Sequence, residues 1–406
     1  RVSVNTITQL SEPIPKLLIR LAIPSSLGLL FNTLYNIVDT YYAGLISTQA
    51  LSALSSSAFL FFVIVGLGYG GSHGITTLVG HALGDQKKDE ARLYASKGLS
   101  LLLLLGIFMG IFGYITTPAM LILIGVESIY QPLALAYIEI ILLGTPLFLA
   151  NFGLNAILVA IGDTKSYRNS LIFGFFANLL LNPLFIFGWN FIPPMGISGI
   201  ALSTVLIQGL NAFYLGLKVS KTELLSFAYF KPDKTTAKII FAQSLPSGLN
   251  MLMISFGSLI ALYFVTHYGY KAVAGYGRGY RVEQLLLLPA LGISSATLSL
   301  VSNNMGARNL LRVKESLFTA LKYGYSIALF GVILLFFFAS LIISHFNKDT
   351  DVLAYAHEYI SVMMLLFFGY VTHFVCVATL QGIKHPIVIF YIGAFRQLLA
   401  PIIVYI

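Results

Sequence analysis

Apolar runs of about 20 residues recur along the chain, separated by short polar breaks. They lie near 21–44, 50–80, 96–123, 132–160, 168–188, 196–217, 237–265, 273–303, 318–344, 352–380 and 386–406. Each is long enough to cross a bilayer as a helix. The pattern predicts an all-α polytopic membrane protein with eleven visible spans. Only a short polar arm precedes Leu21, with no cleavable signal pattern.

The chain matches itself at a shift of about 222 residues. Pro24-Ser25 falls on Pro246-Ser247, Ala50 on Ala272, TLVGHALG ending at Gly84 on SLVSNNMG ending at Gly306, and Tyr137-Ile138 on Tyr359-Ile360. An even number of spans per copy keeps the orientation, so the reading is two parallel six-helix repeats around a central cavity. The expected domains are an N-terminal six-helix lobe over 1–222 and a C-terminal lobe of about five helices over 223–406. The second copy is about one helix short, so a twelfth span is expected. Two such lobes around a central site are a transporter architecture. A channel lacks its pore loop here, and a passive scaffold needs no charges inside its spans.

Composition agrees with the pattern. The chain is 57% hydrophobic and 10% charged, against roughly 25% charged in soluble domains. The net charge of +9 could suggest nucleic acid, but its distribution argues otherwise. With the N-terminus inside, the 24 Lys and Arg fall mostly in inner segments such as DQKKDEAR, GDTKSYR, GARNLLRVK and the link at 218–238. Only Lys271, Arg278, Arg281 and Lys348 fall outside, and Arg396 lies within a span. This is the positive-inside bias of a cytoplasmic (inner) membrane protein with a cytoplasmic N-terminus. The single cysteine, Cys376, excludes a disulfide framework.

Three acids lie well inside spans: Asp39, Glu139 and Glu283. A carboxylate at membrane depth costs roughly 2.5–3.5 kcal/mol on insertion scales. Asp39 has no basic companion in its helix. Asn32 and Tyr35 precede it by seven and four residues, which puts all three on one face. Glu283 follows Arg281, and its readings are an ion pair with Arg281, Arg278 or Arg396, or a second protonation or gating site. Glu139 is read as a hydrated acid near the interface or as a further member of that second site. In the fifth span, Asn178 and Asn182 share a face, and Pro183 frees the carbonyl of Leu179. Thr204 stands behind small residues in GISGIALSTVL, which allow close helix approach.

On these motifs the chain resembles the multidrug and toxic compound extrusion (MATE) transporters, in particular their DinF-like branch. The carriers are NxxYNxVDTYYAG, GLGYGGSHGITTLVGHALG, LxAIGDTK, NLLLNPLFIFG, GISGIALSTVL and YRVEQLLLLPALGISSATLSLVSNNMGA. The resemblance implies export of cationic, often aromatic compounds, driven by inward H⁺ or Na⁺. It assigns cation coupling to Asp39, with Asn178, Asn182 and Thr204 as partners, and these four also as Na⁺ ligands if Na⁺ is the coupling ion. It assigns the substrate cavity to Tyr35, Asn32, Tyr137 and Asn155. Many relatives carry an aspartate where this chain has Asn182, and the seventh span lacks the acid found in another branch. A single carboxylate points to H⁺ ahead of Na⁺. The rival reading is a flippase for lipid or lipid-linked oligosaccharide, whose cavity should be basic.

Other features carry less. His73, His81 and His373 lie in spans without metal-ligand spacing. GLGYGG and GYGRGY are not followed by GK[ST], so neither reads as a phosphate loop. No cofactor, nucleic-acid partner or enzymatic triad is expected, and the transporter is expected to act as a monomer. Its partners are the bilayer and a small organic substrate, cationic by resemblance.

Overall fold

The computed structural model describes residues 8–344 and 350–405. Eleven helices among them are long and apolar enough to cross a membrane. They are α1 (Ile14–Ile46), α2 (Thr48–Gly84), α3 (Lys88–Leu123), α4 (Gln131–Ala160), α5 (Lys165–Phe187), α6 (Ile197–Ser220), α7 (Lys234–Thr266), α8 (Tyr270–Gly306), α9 (Leu310–Ser344), α10 (Thr350–Gly382) and α11, which starts at Pro386–Ala394 and runs on through Phe395–Leu399 to Ala400–Tyr405. All eleven expected spans are present, most of them longer than their apolar runs. The run marks only what lipid can cover, whereas backbone hydrogen bonding continues through polar ends such as Lys234–Lys238. Lys348, expected on the outer side, lies outside the described residues.

Side chains cap some of the helix starts. Ser47 separates α1 from α2, and its hydroxyl accepts from the amide of Ala50 at 3.0 Å. Asp233 caps α7 by accepting from Thr236 N at 2.9 Å. The link between halves is tied to α3 by Ser100 Oγ donating to Phe230 O at 2.6 Å, by Arg92 Nε donating to Glu223 O at 2.8 Å, and by the Lys97–Asp233 ion pair.

Two buried cores organise the bundle. One joins the far-side end of α1 to α2–α6. The other joins α8, α9 and α10, and it also takes Ile14, Leu17, Leu18, Leu21 and Ala22 of α1. The first helix therefore divides at Pro24: its linker-side turns pack in the second half, while Gly28 lies against Leu171 and Arg168 of α5 in the first. Pro24 removes one intrahelical bond at this division. The described residues just ahead of α1 are held as well. Gln9 is 1% exposed and donates to Ala160 O at 3.4 Å, and Arg312 Nη2 donates to Gln9 O and Glu12 O at 3.1 and 2.7 Å.

The halves meet along α2 and α8. A methyl group at Gly70 would lie 2.5 Å from the Cα of Gly248 in α7, so only glycine admits this backbone approach.

Candidate cation-coupling site

The site forms where α1, α5 and α6 converge. Asp39 sits two turns from the far-side end of α1 and is 6% exposed. Its Oδ1 accepts from Asn178 Nδ2 and from Asn182 Nδ2, both at 2.8 Å. Asn182 Nδ2 also donates to Asn178 Oδ1 at 3.2 Å. The two asparagines, four apart on α5, present one polar face, and both are fully buried. Thr204 of α6 is within hydrogen-bonding reach of the carboxylate, and the Tyr35 hydroxyl donates to Thr204 Oγ1 at 2.9 Å. Tyr137 of α4 borders both Tyr35 and Asp39.

Asp39 makes no ion pair among the described residues. Its charged form is held only by neutral donors, and burial works against that form. Asn182 Oδ1 is buried without a partner. The amide nitrogens of both asparagines therefore face the carboxylate, while Asn178 Oδ1 accepts from Asn182. A carboxylate with a hydroxyl and two amides beside it has the chemistry to take up a proton, and its oxygens are of the type a hard cation such as Na⁺ prefers. Among the described residues no cluster of three or more His, Cys, Asp or Glu exists to hold another metal.

The structure does not bring together every residue expected here. Asn32 is exposed although it shares the azimuth of Asp39. Asn155 lies eighteen residues along α4 from Tyr137, roughly 27 Å at helical rise, and so belongs to the linker-side half. Glu139 is half-buried.

The second half has its own buried acid. Glu283 is 4% exposed and accepts from the Tyr359 hydroxyl. Glu283 forms no ion pair among the described residues. Tyr370 and Arg396 lie nearby. Arg396 occupies a π-helical turn in α11, Arg278 is half-buried and Arg281 is exposed. Tyr359 was missed as a site residue, although its repeat partner is Tyr137. Asp39 itself has Ala261 as its repeat counterpart, so the two acids are not symmetry mates.

A buried polar cluster around Asp39 in one half, and a buried acid beside Arg396 in the other, both inside membrane helices, are features of a membrane transporter. A family model, MatE, matches residues 24–184 and again 246–406, in the repeat register seen above. The chain belongs to that family, whose members are transporters and not enzymes. Similar relatives include the FAD transporter of Shewanella oneidensis, 28% identical over 87% of this chain and 79% of that protein. Another is the probable multidrug resistance protein NorM of Thermotoga maritima, 28% identical over 84% and 75%. A MATE structure in complex with MaL6 superposes with a TM-score of 0.89 at 24% identity, covering 97% of this chain and 88% of that one. An outward-facing MATE transporter does so with 0.87, at the same identity and coverage.

Proposed function

We propose that this chain is a secondary active exporter of cationic or amphipathic aromatic compounds in the cytoplasmic membrane, N-terminus inward. It works as a monomer of the DinF-like branch, by antiport with H⁺ through alternating access of the lobes at 1–222 and 223–406. The observation that carries the reading is Asp39: a buried carboxylate with no ion-pair partner among the described residues, held by Asn178, Asn182 and Thr204. A proton taken from outside neutralises it, and its loss inward restores the charge. Na⁺ is the alternative coupling ion, with the same four residues as ligands.

Coupling requires that ion occupancy favour one lobe arrangement over the other. The first helix supports such a link. Its Asp39 end packs on α5, and its linker-side end packs in the core of the other half. A change in α1–α5 packing therefore reaches both lobes through one helix. Tyr35 and Tyr137 border the acid and offer ring faces to a flat cation.

Efflux from vesicles under separate ΔpH and ΔNa⁺ tests the reading. Efflux that follows ΔpH alone is expected, and efflux that follows ΔNa⁺ alone overturns H⁺ coupling. The flippase alternative is tested by thermal stabilisation with organic cations against lipid-linked sugars. The Shewanella relative, a FAD transporter by name, makes flavins a further compound class for that assay.

A further inference from the structure

On the linker side, the last turns of α4 and α10 each end against the opposite half. Ser299 of α8 donates through Oγ to Val159 O at 2.6 Å, and Asn303 Nδ2 donates to Ala160 O at 2.9 Å. Across the interface, Thr77 Oγ1 of α2 lies 3.2 Å from Gln381 O, and His81 Nε2 lies 2.6 Å from Gly382 O. These are the same contacts one repeat apart: 77 and 299, 81 and 303, 159 and 381, 160 and 382 are repeat partners. The final carbonyls of a helix have no intrahelical donor. Here Ala160 O and Gly382 O find theirs in the other lobe. The two sets flank a backbone contact in which Gly84 faces Asn303 O and its repeat partner Gly306 faces His81 O. Thr77, Ser299, Asn303 and Gln381 are fully buried.

We propose that this two-fold set of helix-end caps is the linker-side gate of the transporter, and that Thr77, His81, Ser299 and Asn303 are its positioning residues. The inference rests on the alternating-access reading and names the contacts that must part. Opening exchanges each inter-lobe cap for water. That exchange is nearly balanced for any one bond, so a gate built of these four contacts is firm yet reversible, the more so as Val159 O and Gln381 O also accept from the turn amides of Gly162 and Lys384. A greasy seam would have no comparable partner in water. The two sides are reinforced differently. Gln9 donates to Ala160 O and its Oε1 lies 3.3 Å from Ser299 Oγ, while Gln381 donates to Gln243 O and accepts from Ser247. Gln9, ahead of α1, thereby straps one side only.

The test uses spin labels at Lys165→Cys and Leu311→Cys, both exposed on the linker side in opposite halves, in the full chain with Cys376→Ser, in lipid vesicles. No ion or substrate is needed, so the distance reading is independent of whether efflux is H⁺-driven. The short distance should dominate in the parent. Thr77→Val with Ser299→Ala should raise the long-distance population roughly tenfold or more, at a few-fold per lost bond. Thr77→Ser, which keeps a hydroxyl, should retain the short distance. If the double variant does not fold, the Thr77→Val and Thr77→Ser pair carries the comparison. An unchanged distance distribution in Thr77→Val overturns the proposal, as does equal opening in Thr77→Ser.

Discussion

Asn182 donates its side-chain amide to Asp39 at 2.8 Å, from the position just ahead of Pro183. The bond joins α5 to α1 across a buried, base-free interface. Asn178 repeats it one turn earlier at the same distance. The carboxylate thus has two neutral donors on one oxygen, an arrangement that binds it in place without cancelling its charge.

Asp39→Asn keeps the shape and removes the exchangeable proton. Coupled efflux should fall to background while expression and detergent-phase melting stay near the parent. Because burying an unpaired charge is costly, the variant should be no less stable than the parent. Efflux at the parental rate under ΔpH would make the acid structural.

Asn182→Asp puts a second carboxylate beside the first. Two buried like charges favour capture of a cation that bridges them. The variant should acquire Na⁺-dependent efflux, read in pH-clamped vesicles with and without a Na⁺ gradient. Indifference to Na⁺ would remove position 182 from the ion's ligand set.

Much of this was legible in the chain. The spans followed from apolar run length. The i, i+4 spacing of Asn178 and Asn182 and the adjacent Pro183 mark a polar face within one helix, but that this face meets Asp39 was implied only by the resemblance. What spacing along one helix cannot give is how far a residue lies from another helix. Asn155 was grouped with Tyr137 by resemblance, yet eighteen residues separate them on α4. Asn32 shares an azimuth with Asp39 but remains exposed. For Glu283 the sequence offers Arg281, Arg278 or Arg396 as partners, or a second protonation or gating role, yet its hydrogen-bond partner is the Tyr359 hydroxyl, seventy-six residues on. The inter-lobe caps were hidden for the same reason: Ser299 and Val159 are ordinary residues until two repeats are folded against each other.

Glu283 and Tyr359 can be separated by substitution. Tyr359→Phe removes a donor from a buried carboxylate, which should cost about 1–3 kcal/mol and lower the melting temperature. Glu283→Gln retains a polar group of the same shape and should melt closer to the parent. If the acid serves gating or protonation in the second half, Glu283→Gln should still lose efflux. A stable Glu283→Gln protein with parental efflux would leave Glu283 a packing residue.

The glycine crossing gives a stability test with an internal control. At Gly70 a Cβ would meet backbone atoms of Gly248 at 2.5 Å, and backbone cannot turn aside as a rotamer does. At Gly292, the repeat counterpart, it would meet Ser26 Oγ at 2.0 Å and Ala22 O at 2.8 Å. Gly70→Ala and Gly292→Ala should therefore each destabilise by about 1–3 kcal/mol or more, forcing α2 from α7 and α8 from α1. Gly216 in α6 has nothing within 4 Å of its would-be Cβ. In a helix interior, Gly→Ala without a clash favours the helix by about 0.5–1 kcal/mol, so Gly216→Ala should melt at or above the parent. Thermal unfolding of the purified variants in one detergent reads all three. A Gly70→Ala protein as stable as Gly216→Ala would mean that the halves do not approach at α2 and α7 as described.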